Sequence, residues 1–191
     1  MQNDKKKVTV GKPKTTGAIF FAPKGSTVPT SCSSELGAAY VCLGYATEDG
    51  LSISNESSSI KAWGGDDVLV TKKESFKFSA MQNLDPDVLS VVYGEDNVTI
   101  DQTTGEIAVK SMSNLAQNGV WVYDTIMTGN RAKRIVVPDG TLSELGDVTY
   151  KDEEAVVFPL TIRANPDAAG VCHYEYLAAE TGDTGETEET E

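Results

Sequence analysis

Short runs in which apolar and polar residues alternate recur along most of the chain, separated by turn-forming residues. The clearest runs are residues 18–22, 40–45, 68–78, 98–109, 120–123, 135–137, 155–162 and 171–177. Alternation with a period of two is typical of strands that bury one face. Repeated short strands with turns between them predict a mainly β fold, an antiparallel β-sandwich or partial barrel.

Turn residues between neighbouring runs predict which strands are joined as hairpins. The three turns expected to do so are Asp101–Gly105, Thr128–Asn130 and Asn165–Asp167. The last turn predicts that the strands at 155–162 and 171–177 pair with each other.

One segment has the periodicity and the end signals of an α-helix. Asp85 is a good N-cap, Pro86 suits the first helical position, and Gly94 suits the C-terminal cap. Apolar residues within 86–93 fall on one face at helical spacing. We therefore expect a single flanking helix over residues 86–93.

Residues 52–73 are rich in Ser, Thr and charged side chains, with only a thin apolar stripe. They predict a long polar hairpin whose two arms meet at Trp63-Gly64-Gly65-Asp66. Glycine allows tight backbone turns, Asp66 can accept hydrogen bonds in the turn, and Trp63 can anchor a packed surface. Because the arms are too polar to fold onto a core, another subunit is expected to stabilise the hairpin.

The length and the charge distribution divide the 191 residues into an arm, one domain and a tail. The predicted basic arm is residues 1–16, the domain is 17–177, and the tail, expected to be disordered, is 178–191. Residues 1–24 hold six lysines and one acid, whereas residues 180–191 hold six acids and no base. The net charge of −13 argues against tight nucleic-acid binding, which needs a concentrated basic surface.

The residues offer no convincing constellation for an enzyme, a cofactor or a metal. His173, the only histidine, lies in a strand pattern without a recognisable nucleophile motif, and the paired acids fall in turn-like positions. The Asp101–Gly105 turn lacks the further acids of a calcium site. Cys32, Cys42 and Cys172 fit no zinc spacing, and we expect them to be small buried apolar residues without a disulfide.

The same residues argue against secretion and against a membrane span. Residues 1–7 resemble the start of a signal peptide, but residues 8–14 contain no apolar core. No apolar run approaches the ~18–20 residues that a membrane-spanning helix needs.

Several short segments together resemble the major tail tube proteins of long, non-contractile-tailed bacteriophages. The resemblance spans about residues 17–177 and is carried by Leu43-Gly44-Tyr45, Glu48-Asp49-Gly50, Lys61–Asp66, Phe76-Lys77-Phe78, Val91–Gly94 and Phe158–Thr161.

This resemblance implies a structural virion protein of the phage tail. Its copies would form hexameric rings that stack into a tube, and DNA would pass through the lumen without specific binding. The implied partners are further copies of itself, a tape measure protein, a tail terminator and tail-tip proteins. The implied location is the virion tail, and the host bacterial cytoplasm during assembly.

The sequence leaves open which residues make the contacts between subunits. The hypothesis places them at Trp63, Gly64, Gly65 and Asp66, and on the basic arm at Lys5, Lys6, Lys7, Lys12 and Lys14. The alternative for the first group is a turn that serves only its own hairpin; the interface is favoured because the flanking arms are too polar to fold back onto a core. The alternative function is a β-sandwich binding module, a carbohydrate-recognition or adhesin domain, which would need an exposed aromatic platform or a clustered-acid calcium site.

Overall fold

A computed structural model describes residues 8–14, 18–61, 67–112 and 117–179, apart from the side chains of residues 58–61 and 67–71. The strands within these ranges are β1 (Gly11–Pro13), β2 (Ile19–Pro23), β3 (Val41–Cys42), β4 (Ser52–Lys61), β5 (Asp67–Ala80), β6 (Val98–Ile100), β7 (Ile107–Val109), β8 (Asn118–Met127), β9 (Arg131–Leu145), β10 (Phe158–Ala164) and β11 (Tyr174–Leu177). One α-helix, α1 (Pro86–Tyr93), and one 3₁₀ turn (Glu95–Asn97) lie between β5 and β6.

Nine of these strands form one antiparallel sheet, and seven of them are neighbours in the order β3-β2-β8-β9-β10-β5-β4. The other two strands of this sheet are β1, which pairs with β8, and β11, which pairs with β9. Strands β6 and β7 form a separate hairpin. Every pairing recorded in the described residues is antiparallel, as the alternating pattern predicted.

Strand β9 carries the sheet from one layer of the sandwich to the other. Its first half pairs with β8 and β11, and its second half pairs with β10. The register between β8 and β9 shifts between Gly119 and Trp121, because β9 has one more residue than β8 at this point. Pro138 lies in this bulge of β9. A bulge tolerates proline, which has no N–H to donate, and bends a strand so that it can change layers.

Two glycines allow this corner to pack closely. Gly119 and Gly140 are register partners, and a Cβ atom on Gly140 would lie 2.5 Å from Cδ1 of Trp121. The Trp121 indole donates to the Gly140 carbonyl at 3.1 Å. The largest buried side chain of the core therefore rests directly on the bend.

Aromatic contacts across the core show that the two layers face each other. Phe76 on β5 stacks on Tyr123 of β8 with 5.6 Å between ring centroids, and Phe78 lies 6.2 Å from Trp121. Strands β5 and β8 are not neighbours in the sheet. The sheet thus folds over on itself, and the predicted antiparallel β-sandwich is confirmed; the described strands do not close into a barrel.

The helix has the predicted bounds and the predicted caps. The Asp85 carboxylate accepts a hydrogen bond from the Asp87 N–H at 2.9 Å, and Pro86 is the first helical residue. Gly94 ends the helix with φ 96°, a backbone angle that favours glycine. The apolar face, made of Val88, Leu89, Val91 and Val92, packs into the core.

The pairing predicted for the last two strands is wrong. Strand β10 pairs with β5 and β9, whereas β11 pairs with the first half of β9. Asn165 does not turn the chain back onto β10, because its side chain and backbone bind Asp139. The chain then crosses to the other layer before β11 begins. The second strand predicted at residues 40–45 is also shorter, with ladder pairing only at Val41–Cys42.

Candidate assembly surfaces

The β4–β5 hairpin projects from the sandwich as a two-stranded ribbon. Strand β5 has β10 beside it only along Glu74–Ala80, whereas Asp67–Lys73 pairs with β4 alone. At ~3.3 Å per residue the unsupported part of β5 is roughly 20 Å long. Two-stranded hairpins are marginally stable in water unless a further surface packs on them. The predicted long polar hairpin is confirmed, and its outer half lacks support from the described part of its own chain.

The outer edge of β4 is an open edge of the sheet. Strand β4 stands last in the strand order, so along residues 52–61 its second row of backbone N–H and C=O groups has no strand partner within the described ranges. Such an edge is a template on which another strand can pair. The ribbon and the β4 edge are one continuous candidate surface for contact with another copy.

A buried carboxylate fixes the base of the ribbon. Glu74, only 3% exposed, lies at the end of the inner row of β5 beyond Phe76. Its Oε2 lies 2.6 Å from His173 Nδ1, and its Oε1 lies 2.5 Å from Lys72 Nζ. The His173 ring also meets the Phe76 ring edge-on, with centroids 5.5 Å apart. The segment before β11 therefore holds the point where the ribbon leaves the body.

The ionisation of Glu74 follows from these contacts. Burial by itself raises the pKa of a carboxyl group, but hydrogen bonds from Lys72 and His173 outweigh it and hold the pKa of Glu74 below its ordinary value. Glu74 is therefore a buried charged group, and its partners come from the ribbon and from the residue that precedes β11.

Most of the sequence-predicted interface residues lie outside the described residues. They are Trp63, Gly64, Gly65 and Asp66 at the hairpin turn, and Lys5, Lys6 and Lys7 in the arm. The predictions made for these seven residues stay predictions.

The two remaining lysines, Lys12 and Lys14, flank the outer edge of β8. Lys12 lies on β1 opposite Ile126, and the Lys14 N–H donates to the Asp124 carbonyl at 3.2 Å. Both side chains are exposed, and neither has an ion pair among the described residues. Lys12 and Lys14 therefore place two positive charges along this edge of the sheet.

A buried ion pair, which the sequence analysis missed, supports the β8–β9 layer. Arg134 and Asp124 are 5% and 7% exposed, and two parallel hydrogen bonds of 2.7 Å join the guanidinium to the carboxylate. The same guanidinium donates to the Ser34 carbonyl at 2.6 Å and to the Ser31 carbonyl at 3.3 Å. Its hydrogen bonds to Asp124 raise the pKa of Arg134 further. This pair fastens the long loop between β2 and β3 onto the sheet.

The turn at 128–130 contains a signal that could have revealed this pair. Once a three-residue turn places Met127 opposite Arg131, antiparallel pairing places Asp124 opposite Arg134. Opposite charges at such cross-strand positions attract. The Ser31 and Ser34 carbonyls, about a hundred residues away in sequence, leave no comparable local signal.

His173 lies directly before β11, beside the buried carboxylate of Glu74. The recorded contacts of His173 are with Glu74, Phe76 and Glu175, none of which is a hydroxyl or thiol nucleophile. The described residues contain no group of three or more His, Cys, Asp or Glu side chains arranged to hold a metal ion. Trp121 is fully buried, so it cannot contribute to the aromatic platform of a carbohydrate-binding module. None of the helices in the described ranges has the length and apolar character to cross a membrane.

Comparison with known proteins favours one of the two functions that the sequence left open, a structural tail protein or a β-sandwich binding module. A family model described as phage tail tube protein matches residues 1–187 of the 191. The chain belongs to the phage tail tube protein family. A search of the curated proteins found no match. Membership makes the protein a structural component of the virion tail, with tail-assembly partners, and it favours a non-enzymatic role.

Family membership makes the ribbon and the open β4 edge candidates for contact with a tail-assembly partner. Membership implies tail-assembly partners, and along the outer edge of β4 the backbone has no strand partner among the described residues. The contacts of Glu74 with Lys72 and His173 hold the base of the ribbon in place relative to the body.

Proposed function

We propose that the protein forms closed hexameric rings that stack into the tail tube, and that the β4–β5 ribbon makes the principal contact between copies. The observation that supports this is the ribbon itself, whose residues 67–73 leave the sandwich with one strand neighbour. A copy placed beside β4 would satisfy the open edge, and repetition of that contact around an axis closes a ring without leaving an edge. The number of six subunits comes from the family resemblance.

The ribbon is too polar to be stabilised by burial alone, so its partner must supply hydrogen bonds. Residues 52–59 read Ser-Ile-Ser-Asn-Glu-Ser-Ser-Ser, with a single large apolar side chain. Backbone pairing between strands needs no apolar side chains and gives directional contacts. Trp63, at the predicted turn, would then anchor the end of the ribbon on the next copy.

The first test is the assembly state of the full chain. Purified protein analysed by light scattering after gel filtration, and by negative-stain microscopy, should give rings or tubes with a hollow axis. A monomer at every concentration and salt condition tested would contradict the proposal. A monomer that also binds glycans would support the alternative binding module.

The second test concerns the basic arm, which we propose contacts a neighbouring copy. Residues 11–13 form β1 and pair with β8, so the truncation should stop before them and remove residues 2–8. The free energy of unfolding should stay unchanged, whereas stacking of rings into tubes should be impaired. Replacing Lys110 and Lys151, exposed lysines remote from the arm in sequence, with glutamine is the control. Normal tubes from the truncated chain would contradict this role.

We further propose that DNA passes through the lumen without binding to its wall. The chain carries a net charge of −13, and phosphates are repelled by an acidic surface, whereas a basic one would retain them through counterion release. Assembled tubes incubated with duplex DNA at physiological salt should show no co-sedimentation. Retention of DNA that weakens steeply with salt would contradict the proposal. The tape measure, terminator and tail-tip proteins are the further partners that this function requires.

A further inference from the structure

A mainly apolar slot opens between the two layers of the sandwich, on the side where β1 and the start of β4 lie. We call it the interlayer slot; its volume is about 200 Å³. Strand β1 pairs only with β8, and β4 pairs only with β5, so the edges that flank the slot have no further strand partner among the described residues. The apolar side chains that line the slot are Ile19, Leu51, Ile53, Met127 and Ile135.

Tyr123 of β8 is the most deeply buried side chain that lines the slot. It is 1% exposed, and its hydroxyl has no hydrogen-bond partner among the described residues. Buried polar side-chain atoms are nearly always hydrogen-bonded. Burial raises the pKa of Tyr123 well above its ordinary value, so the group is a neutral hydroxyl that can donate and accept. The slot therefore presents one unsatisfied polar group in an apolar cavity.

The volume and the lining of the slot suit one large aromatic side chain that carries one polar atom. An apolar cavity of about 150 Å³ holds benzene, so the interlayer slot has room for an aromatic ring. Tryptophan has a single polar group, the indole N–H, which a tyrosine hydroxyl can accept, and it is a frequent anchor in interface pockets. The chain has two tryptophans, and Trp121 is buried in the core, which leaves Trp63.

Trp63 cannot enter the slot of its own chain. Ile53 lines the slot near the start of β4, whereas Lys61 ends that strand eight residues later, about 26 Å away along an extended strand. The two further residues that lead to Trp63 span at most about 7 Å. Trp63 therefore stays roughly 19 Å or more from its own slot, and only another copy can place a Trp63 there.

We propose that Trp63 of one copy inserts into the interlayer slot of the next copy and donates its indole N–H to the Tyr123 hydroxyl. The contact joins two different surfaces, so it can repeat from copy to copy around a ring or along a stack. This inference rests on the proposed role of the ribbon between copies, and it names the receptor for the end of the ribbon.

The charges beside the slot complement the sequence that follows Trp63. Lys12 of β1 lines the slot, is exposed, and has no ion pair among the described residues. Asp66 and Asp67 follow Trp63 closely in the sequence. With the indole in the slot, these acids come near Lys12 of the receiving copy. Exposed charge pairs of this kind contribute more to the choice of partner than to affinity.

Binding of a side-chain analogue tests the slot in the free subunit. The probe is 3-methylindole, which reproduces the tryptophan side chain, and it is titrated into the full chain that carries Trp63→Ala. The isoleucine methyl NMR signals of Ile19, Ile53 and Ile135 should shift with saturation. No binding would overturn the inference. Tighter binding of 4-methylphenol, the tyrosine analogue, would assign the slot to a tyrosine and would also overturn it.

Filling the slot gives a matched pair of variants. Ile53→Phe narrows the slot, whereas Ile53→Val leaves it open. In the Trp63→Ala chain, Ile53→Phe should weaken 3-methylindole binding by at least about ten-fold, because a filled, close-packed cavity excludes the ring. Ile53→Val should change it by less than about three-fold. Equal binding to the two variants would place the probe elsewhere and contradict the inference.

Removing the hydroxyl of Tyr123 tests the proposed hydrogen bond without filling the slot. Tyr123→Phe should not lower the free energy of unfolding, because the hydroxyl has no partner among the described residues of the subunit. Binding of 3-methylindole should weaken about five- to ten-fold, because the indole N–H is then buried without an acceptor. Unchanged binding would refute the hydrogen bond.

Mixing two full-length variants tests whether the contact runs from one copy to the next. Trp63→Ala keeps the slot, and Ile53→Phe keeps Trp63, so each alone should need at least about ten-fold more protein to form tubes. In an equal mixture, one contact is intact between unlike copies. Native mass spectrometry should therefore show heterodimers well above the proportion expected from random pairing. Random proportions would overturn the inference.

The results for the slot and for the ring can be told apart. Tubes that form from both single variants at the wild-type concentration would overturn the inference and leave the proposed function standing. Binding of 3-methylindole in the slot of a protein that never forms rings or tubes would contradict the proposed function alone.

Discussion

The body of the sandwich and the ribbon that projects from it differ in where their polar groups find partners. In the body, even a buried charge such as Arg134 has its hydrogen bonds met by Asp124 and by two loop carbonyls. In the ribbon, β4 offers a full row of backbone groups that the described chain leaves without a strand partner. In the proposed function the two regions have different roles, because the first makes a stable subunit and the second joins that subunit to other copies.

Glu74 lies at the boundary between the two regions. It belongs to the inner row of β5, yet its partners are Lys72 on the ribbon and His173 beside β11. A contact made by a neighbour on the ribbon would act on the body through this residue. The comparison therefore predicts that mutations in the body change the stability of the subunit, whereas mutations in the ribbon change assembly alone.

The largest effect should come from breaking the buried ion pair of the body. Arg134→Met leaves the Asp124 carboxylate buried without its partner, and we expect a loss of about 3–5 kcal/mol in the free energy of unfolding. Urea denaturation at neutral pH measures it. The double variant Arg134→Met with Asp124→Leu should regain much of the loss, because no unpaired charge remains. A loss below about 1 kcal/mol in the single variant would mean that the pair does not support the layer.

A smaller loss should follow from filling the space at the sandwich corner. Gly140→Ala places a Cβ atom 2.5 Å from Trp121 and 2.9 Å from Ile162, so the indole must move. Overpacking of this kind costs about 1–3 kcal/mol. Near-ultraviolet circular dichroism should report the displaced tryptophan. Gly37→Ala is the matched control, since nothing lies within 4 Å of its added Cβ atom. Equal stability of the two variants would show that Trp121 does not depend on Gly140.

Replacing Glu74, the residue at the boundary, should lower the free energy of unfolding by an amount that depends on pH. Because the folded-state pKa of Glu74 is lowered, its contribution is present above the unfolded-state pKa, about 4.3, and is lost as the pH falls through the folded-state pKa. Glu74→Gln should therefore cost about 1–2 kcal/mol at pH 7 and progressively less in acid. Unfolding measured between pH 7 and pH 3 tests this, with Glu106→Gln, on an exposed side chain, as control. A difference from wild type that does not shrink in acid would contradict the assigned role of the charge.

These contacts also show how far the sequence alone could lead. The helix was found with its bounds because Asp85, Pro86 and Gly94 act on their immediate neighbours. The hairpins at 98–109 and at 128–130 were found for the same reason. The partners of β10 and β11 were missed, since β9 continues past Pro138 into a second layer and no local pattern marks that change.

The candidate surfaces were predictable to a similar degree. The polar composition of residues 52–73 predicted a hairpin that cannot stabilise itself, and the structure shows where its support ends, at Glu74. The contact of Glu74 with His173 joins residues 99 positions apart, so it depends on the whole fold.

The smallest effect on subunit stability, and the largest on assembly, should come from shortening the ribbon. Replacing residues 58–71 by Asn-Gly joins Ser57 to Lys72, which are register partners, through a two-residue turn suited to a hairpin. The salt bridge from Lys72 to Glu74 is kept. The free energy of unfolding should stay within about 0.5 kcal/mol of wild type, because the described part of the removed segment, residues 58–61 and 67–71, pairs only within itself. Rings and tubes should no longer form.

The β6–β7 hairpin offers a matched control for the shortened ribbon. Its loop, residues 101–106, can be replaced by the same Asn-Gly turn between the register partners Ile100 and Ile107. This variant should fold and still assemble, so that loss of tubes in the ribbon variant reflects the ribbon itself. If the shortened ribbon instead destabilised the subunit by several kcal/mol while tubes persisted, the ribbon would belong to the body, and the division between a self-sufficient sandwich and an incomplete extension would be wrong.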